Sequence, residues 1–284
     1  MSLVVYIAPQ KMELIQSTFR SMQTLAAEAE RWQDIVEELD ATDIEFRSIA
    51  YEAAAMEIAL KDLSIGNELS QWQQFVNGTG KPHATQIHVG LGWALAQLQL
   101  NPLAYLEVLN PMLRYRMLDG YGYYEGLFRR RKTIINRQLP DLDDVVALSA
   151  YYQGLGRSIW YSTIGDIDKA KELIDTFDNV HKPNLWRGLG IACTYVGGCT
   201  ETQLNEILSK SAPYSKQIKA GAVMLAVSRQ TAGFTSADTE LTCQVWLGNT
   251  AVDVVATNSM EGFKGVDMPD AYALWVSQIE AKVS

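Results

Sequence analysis

The sequence predicts an all-α protein, and three observations support that fold class. Almost every apolar pattern in the 284 residues has a period near 3.6, several patterns follow helix-starting signals, and prolines fall at their boundaries. Strand-like alternation is confined to Leu3 to Ile7 and Val252 to Ala256, and both segments are short. We therefore expect a single domain of packed helices over residues 42–284, preceded by an N-terminal segment and helix over residues 1–41.

Capping boxes mark the predicted starts of two helices. In Thr42-Asp43-Ile44-Glu45 a hydroxyl and a carboxylate can satisfy the free amides of a starting helix, and Thr200 with Gln203 has the same form. The first of these helices carries apolar side chains at helical spacing: Phe46, Ile49, Ala53, Met56 and Leu60. Prolines lie between or at the start of the predicted helices, where proline is tolerated: Pro82, Pro102, Pro111, Pro140, Pro183, Pro213 and Pro269.

Glycines recur inside the apolar helical segments at a nearly regular interval. Five of them share a similar context, Gly90, Gly126, Gly154, Gly188 and Gly221, and are 36, 28, 34 and 33 residues apart. In four of the five units a second helix-like segment follows. This rhythm predicts stacked helix pairs of tetratricopeptide-like form, arranged as an open array or closed into a toroid. A nucleotide-binding loop is disfavoured because no Gly-x-Gly pair completes G-x-G-x-x-G after a strand.

Composition and charge exclude several functional classes. The formal net charge is −9, which argues against nucleic acid as the main partner, and the basic stretch Arg129–Lys132 is most simply a solvated helix face. No apolar stretch is long enough to predict a membrane span, and Met1–Gln10 lacks the pattern of a secretory signal. Cys193, Cys199 and Cys243 form no C-x-x-C motif, so we expect reduced thiols and a cytoplasmic protein.

The repeat register predicts a pocket between helices, because equivalent residues of stacked units lie on one face. Rings and hydrogen-bonding groups recur around the shared glycines, and seven of them are candidates for binding a substrate: Tyr124, Glu125, Tyr152, Gln153, Arg157, Trp186 and Arg187. Two alternatives stay open. Glu125–Arg129 and Gln153–Arg157 have the i, i+4 spacing of ordinary helix-surface pairs, and the aromatic residues could simply belong to the core.

Three residues are candidates for acid and base catalysis. His88 is the candidate base, because imidazole titrates near neutrality, and Glu52 and Asp119 are candidate acids, because burial raises the pKa of a carboxyl group. His88 could also be a satisfied buried histidine, and Asp119 a turn or cap residue before Gly120. His83 and His88 lack the spacing of a metal site, so we expect no metal and no cofactor.

Five motifs resemble a family of bacterial proteins that is associated with enediyne biosynthesis and has no characterised function. They are Ala50–Met56, His88–Ala96, Leu118–Gly122, Tyr152–Trp160 and Leu185–Ala192, within a similarity that extends over roughly residues 43–280. The sequence differs at Tyr123-Tyr124, where family members often have an aromatic–His pair. The resemblance implies a role in polyketide-type natural-product biosynthesis, and its motifs include Glu52, His88, Asp119, Gln153, Arg157 and Trp186.

These observations lead to two functional expectations. The first is a protein that binds a hydrophobic biosynthetic intermediate and processes it without a cofactor, by acid/base cyclisation, isomerisation or dehydration. In that scheme Glu52 or Asp119 is the acid, His88 is the base, and Arg157 with Gln153 holds a substrate oxygen. The second is a non-catalytic helical-repeat protein, which acts as a scaffold for pathway enzymes or as a carrier of a reactive product.

Overall fold

The computed structural model describes residues 8–66, 68–138, 141–260 and 271–283, and all regular secondary structure in these ranges is helical. The all-α prediction is therefore confirmed. The α-helices in the described ranges are α1 Ala8–Glu28, α2 Val36–Ala41, α3 Arg47–Ile65, α4 Ser70–Asn77, α5 Ala84–Leu98, α6 Arg114–Phe128, α7 Val145–Ser162, α8 Ile167–Asp175, α9 Lys182–Val196, α10 Glu201–Lys210, α11 Ser215–Thr231, α12 Ala237–Leu247, α13 Ala251–Asn258 and α14 Ala271–Lys282.

Two local predictions differ from the structure: the strand at Val252 to Ala256 and the capping box at Thr42. Val252 to Ala256 is not a strand but part of α13, which begins where the Thr250 side chain accepts a hydrogen bond from the Asp253 amide. The other strand candidate, Leu3 to Ile7, lies outside the described residues. The capping box at Thr200 and Gln203 is confirmed at the start of α10.

The capping box expected at Thr42 is wrong. Helix α3 begins at Arg47, and its N-cap residue, Phe46, has no side chain that can cap it. Thr42 instead ends α2, where its hydroxyl donates a hydrogen bond to the Glu38 carbonyl. Asp43 accepts a hydrogen bond from the Glu45 amide, so the motif forms a turn between two helices.

Glycine allows the six helices α3, α5, α6, α7, α9 and α11 to pack closely, each against the next in chain order. A Cβ atom on Gly154 or Gly188 would lie within 3.0 Å of a backbone carbonyl oxygen of the preceding helix in this row. The same holds for Gly120, which occupies the equivalent position in α6. The prediction that Gly126 is the equivalent glycine of α6 is wrong, because Gly126 faces the Ser158 side chain. The corrected intervals from Gly90 onward are 30, 34, 34 and 33 residues.

Shorter helices separate the members of this row along the chain. Helix α4 lies between α3 and α5, α8 between α7 and α9, and α10 between α9 and α11. This alternation occurs at three of the five steps of the row, since no α-helix lies between α5 and α6 or between α6 and α7 in the described residues, and a regular repeat or a closed toroid stays a prediction. None of the helices in the described ranges is long and apolar enough to cross a membrane.

Helix α1 shares the hydrophobic core with the rest of the chain, which is a single domain. It packs along α3, where Lys61 donates hydrogen bonds to the carbonyls of Ala26 and Ala29 at the end of α1. The buried Lys11 forms ion pairs with Glu45 and with Asp238 of α12. The first described helix therefore contacts both the start of the helical row and a helix near its end.

Candidate functional site

A cavity of about 540 Å³ lies between α1, α3, α5, α6 and α7. Much of its wall is aromatic, and six rings contribute to it: Phe19, Trp93, Tyr123, Tyr124, Phe128 and Tyr161. Trp93 is central to this group, because its ring centroid lies 4.8 Å from Phe19, 5.1 Å from Tyr123 and 5.7 Å from Tyr124. The indole N–H of Trp93 is buried and has no hydrogen-bond partner among the described residues. The cavity therefore combines a large apolar surface with an unused donor.

Glu52 is the acidic group of this cavity. It lies in α3, where the neighbouring residues are the small Ala53, Ala54 and Ala55, and only 1% of its surface is exposed. The Gln86 side-chain amide donates a 2.9 Å hydrogen bond to Glu52 Oε2, and no described residue donates to Oε1. Burial raises the pKa of Glu52 to about 8, although the positive charge of Arg157 opposes that rise. At neutral pH the group is therefore mainly a protonated acid.

Arg157 and Asp119 form a buried ion pair behind the cavity wall. Arg157 Nη1 lies 3.3 Å from Asp119 Oδ1, and Arg116 Nη1 lies 3.6 Å from Asp119 Oδ2. The Arg157 guanidinium also lies over the Tyr123 ring, 4.5 Å from its centroid. Burial lowers the pKa of Arg157, but the neighbouring acidic groups, Asp119 first, more than offset this and raise it overall. The cation is thus held at a fixed position beside the acid.

Two tyrosine hydroxyls complete the polar part of the cavity wall. The Tyr123 and Tyr161 hydroxyls form a hydrogen bond with each other. Burial raises the pKa of both phenols, that of Tyr161 to about 12, so both stay protonated at neutral pH. The cavity therefore presents neutral proton donors, and the cation next to them lies behind an aromatic ring.

A chain of hydrogen bonds extends from this ion pair away from the cavity. The Gln153 side-chain amide donates to Asp119 at 3.0 Å, and Arg187 Nε donates to Gln153 Oε1 at 2.7 Å. Arg187 also forms an ion pair with Glu280 of α14, with 2.8 Å between Nη1 and Oε1. Asp119, Gln153 and Arg187 each directly precede a glycine of the helical row, which explains why they lie next to one another.

His88 lies in a different place from Glu52. It lines a second cavity of about 860 Å³, and its ring makes an edge contact with Trp72, with 5.1 Å between ring centroids. Gln86, which contacts Glu52, is two residues before His88 and so points about 200° away around α5. The His88 Nδ1 bonds to the Ala84 carbonyl, and burial lowers the pKa of the ring to about 4. The structure therefore does not bring His88 and Glu52 into one site.

The other predicted binding residues are divided between several environments. Tyr124 lines the aromatic cavity, but Glu125 forms ion pairs with Arg129 and Lys132. Tyr152 stacks on His181 with 3.7 Å between ring centroids, and Trp186 is fully buried in the core. Neither Tyr152 nor Trp186 lines the aromatic cavity. These placements give both rings a packing role.

Several cavity residues were missed in the sequence. Trp93 and Tyr123 each lie three residues after the first glycine of their helix, as the predicted Arg157 does. With Gly120 instead of Gly126 as the shared glycine of the second unit, these three residues occupy equivalent positions in three successive units. The sequence around Phe19 has no comparable glycine spacing, because α1 contains no glycine. In the part of the chain with described positions, no group of three or more His, Cys, Asp or Glu residues could hold a metal ion.

Comparison with known proteins gives one match. A family model described as "Protein of unknown function (DUF1702)" matches residues 6–283. No curated protein and no solved structure matches the chain. The match covers all of the helices that form the aromatic cavity.

Proposed function

The chain belongs to the DUF1702 family, which has no assigned activity, and we propose that its aromatic cavity binds a hydrophobic intermediate on which Glu52 acts as a general acid. The reaction is a cofactor-free cyclisation, isomerisation or dehydration. The observation that carries this proposal is the position of Glu52: a fully buried carboxyl group at an aromatic wall, with one oxygen held by Gln86 and the other without a donor among the described residues.

The chemistry follows from the protonation state of this carboxyl group. A protonated Glu52 transfers its proton to a carbon–carbon double bond, whose π electrons form the new C–H bond and leave a positive charge on the adjacent carbon. For a dehydration, the proton goes instead to a hydroxyl oxygen, and water leaves with the C–O electron pair. In both cases a carbon of the cation then loses a proton to the Glu52 carboxylate, which restores the acid.

The aromatic wall suits this sequence of steps. The faces of Trp93 and Phe19 can stabilise a positive charge within about 6 Å, and no anion other than the Glu52 carboxylate lines the cavity among the described residues. Arg157 stabilises the Glu52 carboxylate in the interval before a proton returns to it. The same cation disfavours positive charge next to it, so the developing charge belongs on the Trp93 side of the cavity.

The proposal extends to the pathway, the cellular compartment and the arrangement of the helices. The resemblance to enediyne-associated proteins supports a role in polyketide-type natural-product biosynthesis, with pathway enzymes as neighbours. Three cysteines without a C-x-x-C motif support a cytoplasmic location. Glycines at equivalent crossings support a repeated array of helix pairs. The contact of Arg229 in α11 with the Glu45 carbonyl, just before α3, supports closure of that array into a toroid around the polar interior.

The test measures proton transfer and binding separately. The purified protein is incubated in D₂O with hydrophobic metabolites extracted from a polyketide-producing host, and products are followed by mass spectrometry. We expect a product that carries deuterium at carbon, or an anhydro product, and we expect Glu52→Gln to reduce its formation by about 100-fold or more. Native mass spectrometry should show that the variant still binds the substrate.

Glu57→Gln is the matched control, because Glu57 lies on the same helix and does not line the cavity. It should leave turnover unchanged. Equal turnover by Glu52→Gln would exclude Glu52 as the acid. A ligand that binds to the wild-type protein and is never converted would identify a carrier instead of an enzyme.

A further inference from the structure

An exposed basic surface lies at the rim of the aromatic cavity. We call it the basic rim and define it as Phe128, Arg130, Arg131, Lys132 and Ile135. Phe128 both lines the cavity and is 63% exposed, so it marks the opening. Ile135 is 50% exposed, and the three cationic side chains between them are exposed as well.

The basic rim is a fixed part of the fold. It follows the end of α6 and includes a π-helical turn over Arg131–Ile135. The turn is anchored from inside, because Thr133 is fully buried and its hydroxyl donates to the Glu125 carbonyl, and the next residue, Ile134, is buried too. With these two side chains held in the core, their neighbours are directed outward.

The charge of the basic rim is opposite to that of the whole chain. The protein has a net charge of −9, yet residues 126–138 contain five cationic residues and no Asp or Glu. Arg129 and Lys132 are paired with Glu125, while Arg130 and Arg131 make no ion pair with any described residue. A further cation from another helix, Arg20 of α1, lies exposed at the cavity lining. This concentration of positive charge fits an anionic partner.

We propose that the basic rim docks the protein on an anionic lipid membrane surface, with Phe128 and Ile135 inserted among the lipid chains. Exposed apolar side chains interleaved with cations are the pattern by which proteins lie on such surfaces. A purely electrostatic partner would leave these two apolar side chains in water. The position of Phe128 adds a functional consequence, because a hydrophobic ligand can then pass between the bilayer and the cavity without crossing water.

The experiment is co-sedimentation of the full-length protein with vesicles. The probes are vesicles of pure phosphatidylcholine and vesicles of phosphatidylcholine and phosphatidylglycerol in a 3:1 ratio. We expect binding to the anionic vesicles only, and weaker binding when salt is raised from 50 to 300 mM, since salt screens the attraction. The double variant Arg130→Glu, Arg131→Glu should bind more than ten-fold more weakly, and Ile135→Ser several-fold more weakly.

The matched control is the double variant Lys216→Glu, Lys282→Glu, which changes the net charge equally in α11 and α14, away from the cavity lining. It should bind vesicles like the wild-type protein. Equal binding by the two double variants, or no vesicle binding at all, would overturn the proposal. Binding of a 20-base-pair DNA duplex in place of vesicles would do the same and would assign the rim to nucleic acid. Because vesicle binding is measured without turnover, its failure is independent of the Glu52 chemistry.

Discussion

Glu52 is a carboxyl group almost fully removed from water, with 1% of its surface exposed. Its pKa rises from 4.5 to about 8 because α3 places it among alanines and against the aromatic wall. A carboxyl group with a raised pKa binds its proton more tightly in the folded protein than in the unfolded chain. Its contribution to stability is therefore complete below about pH 4.5 and is lost as the pH rises through about 8.

This linkage predicts a pH-dependent difference between the wild-type protein and Glu52→Gln, whose amide does not titrate. The free energy of unfolding of the wild-type protein, relative to that of the variant, should fall by about 2–3 kcal/mol between pH 5.5 and 8.5. Urea denaturation at several pH values measures it. Glu57→Gln retains Glu52 and should show the wild-type fall. A constant difference between the wild-type protein and Glu52→Gln would show that Glu52 is ionised throughout this range.

The sequence identified some of the site residues and not others for a physical reason. Glu52 and Asp119 could be selected because a carboxyl group between small or apolar residues of a helix is unusual. Trp93 and Tyr123 could not be distinguished from core aromatics, since only the crossing of α5 and α6 determines which face lines a cavity. His88 had the same apolar flanks as Glu52, yet two residues of helix place it on the opposite side of α5 from Gln86.

At the level of the helices, close packing depends on the absence of a side chain at each crossing. Helix α9 approaches α7 so closely that a Cβ atom on Gly188 would overlap the backbone at Gln153. Backbone cannot move aside as the end of a flexible side chain can. The two helices would have to separate, and that movement would also disturb the hydrogen bond from Arg187 to Gln153.

Gly188→Ala should therefore destabilise the protein by about 1–3 kcal/mol or more, measured as the free energy of unfolding in urea. Gly66→Ala is the matched control. Gly66 ends α3 with a φ of −179°, and no described atom lies within 4 Å of the position that an alanine methyl group would take, so alanine should be neutral or slightly stabilising there. Equal stability of the two variants would contradict the interpretation of the glycine spacing as helix packing.

The glycine spacing was sufficient to predict that helices pack closely, but not to identify the contacting glycine in every helix. Spacing near 33 residues correctly indicated close helix contacts, because only glycine permits them at this distance. It could not choose between Gly120 and Gly126 in α6, since both lie in apolar helical sequence. The choice depends on which side of α6 meets α5: Gly120 faces the Val89 backbone of α5, whereas Gly126 faces the Ser158 side chain of α7.

On the scale of the whole molecule, the two ends of the helical row are connected through Lys11. Its ammonium group bonds Glu45, just before α3, and Asp238 of α12, 227 residues away in the chain. Asp238 also accepts a hydrogen bond from the Gly198 amide at the end of α9. No local pattern could predict these contacts, because they depend on how all the intervening helices curve.

Replacing Lys11 with methionine keeps most of the apolar stem and removes the charge. Both carboxylates are about a quarter exposed, so the loss should be smaller than for a fully buried pair, about 1–3 kcal/mol in the free energy of unfolding. Lys171→Met is the control, because the Lys171–Asp175 pair is exposed on one helix and should contribute less than about 0.5 kcal/mol.

The form of the unfolding transition distinguishes the role of α1. Its apolar residues belong to the same core as those of α3, so Lys11→Met should still unfold in one transition, at a lower urea concentration. Circular dichroism and tryptophan fluorescence measure this together, since the first follows the helices and the second follows all seven tryptophans, among them Trp93, which contacts Phe19 of α1. Coincident curves from both probes are expected. An earlier fluorescence transition would mean that the protein does not unfold as one unit.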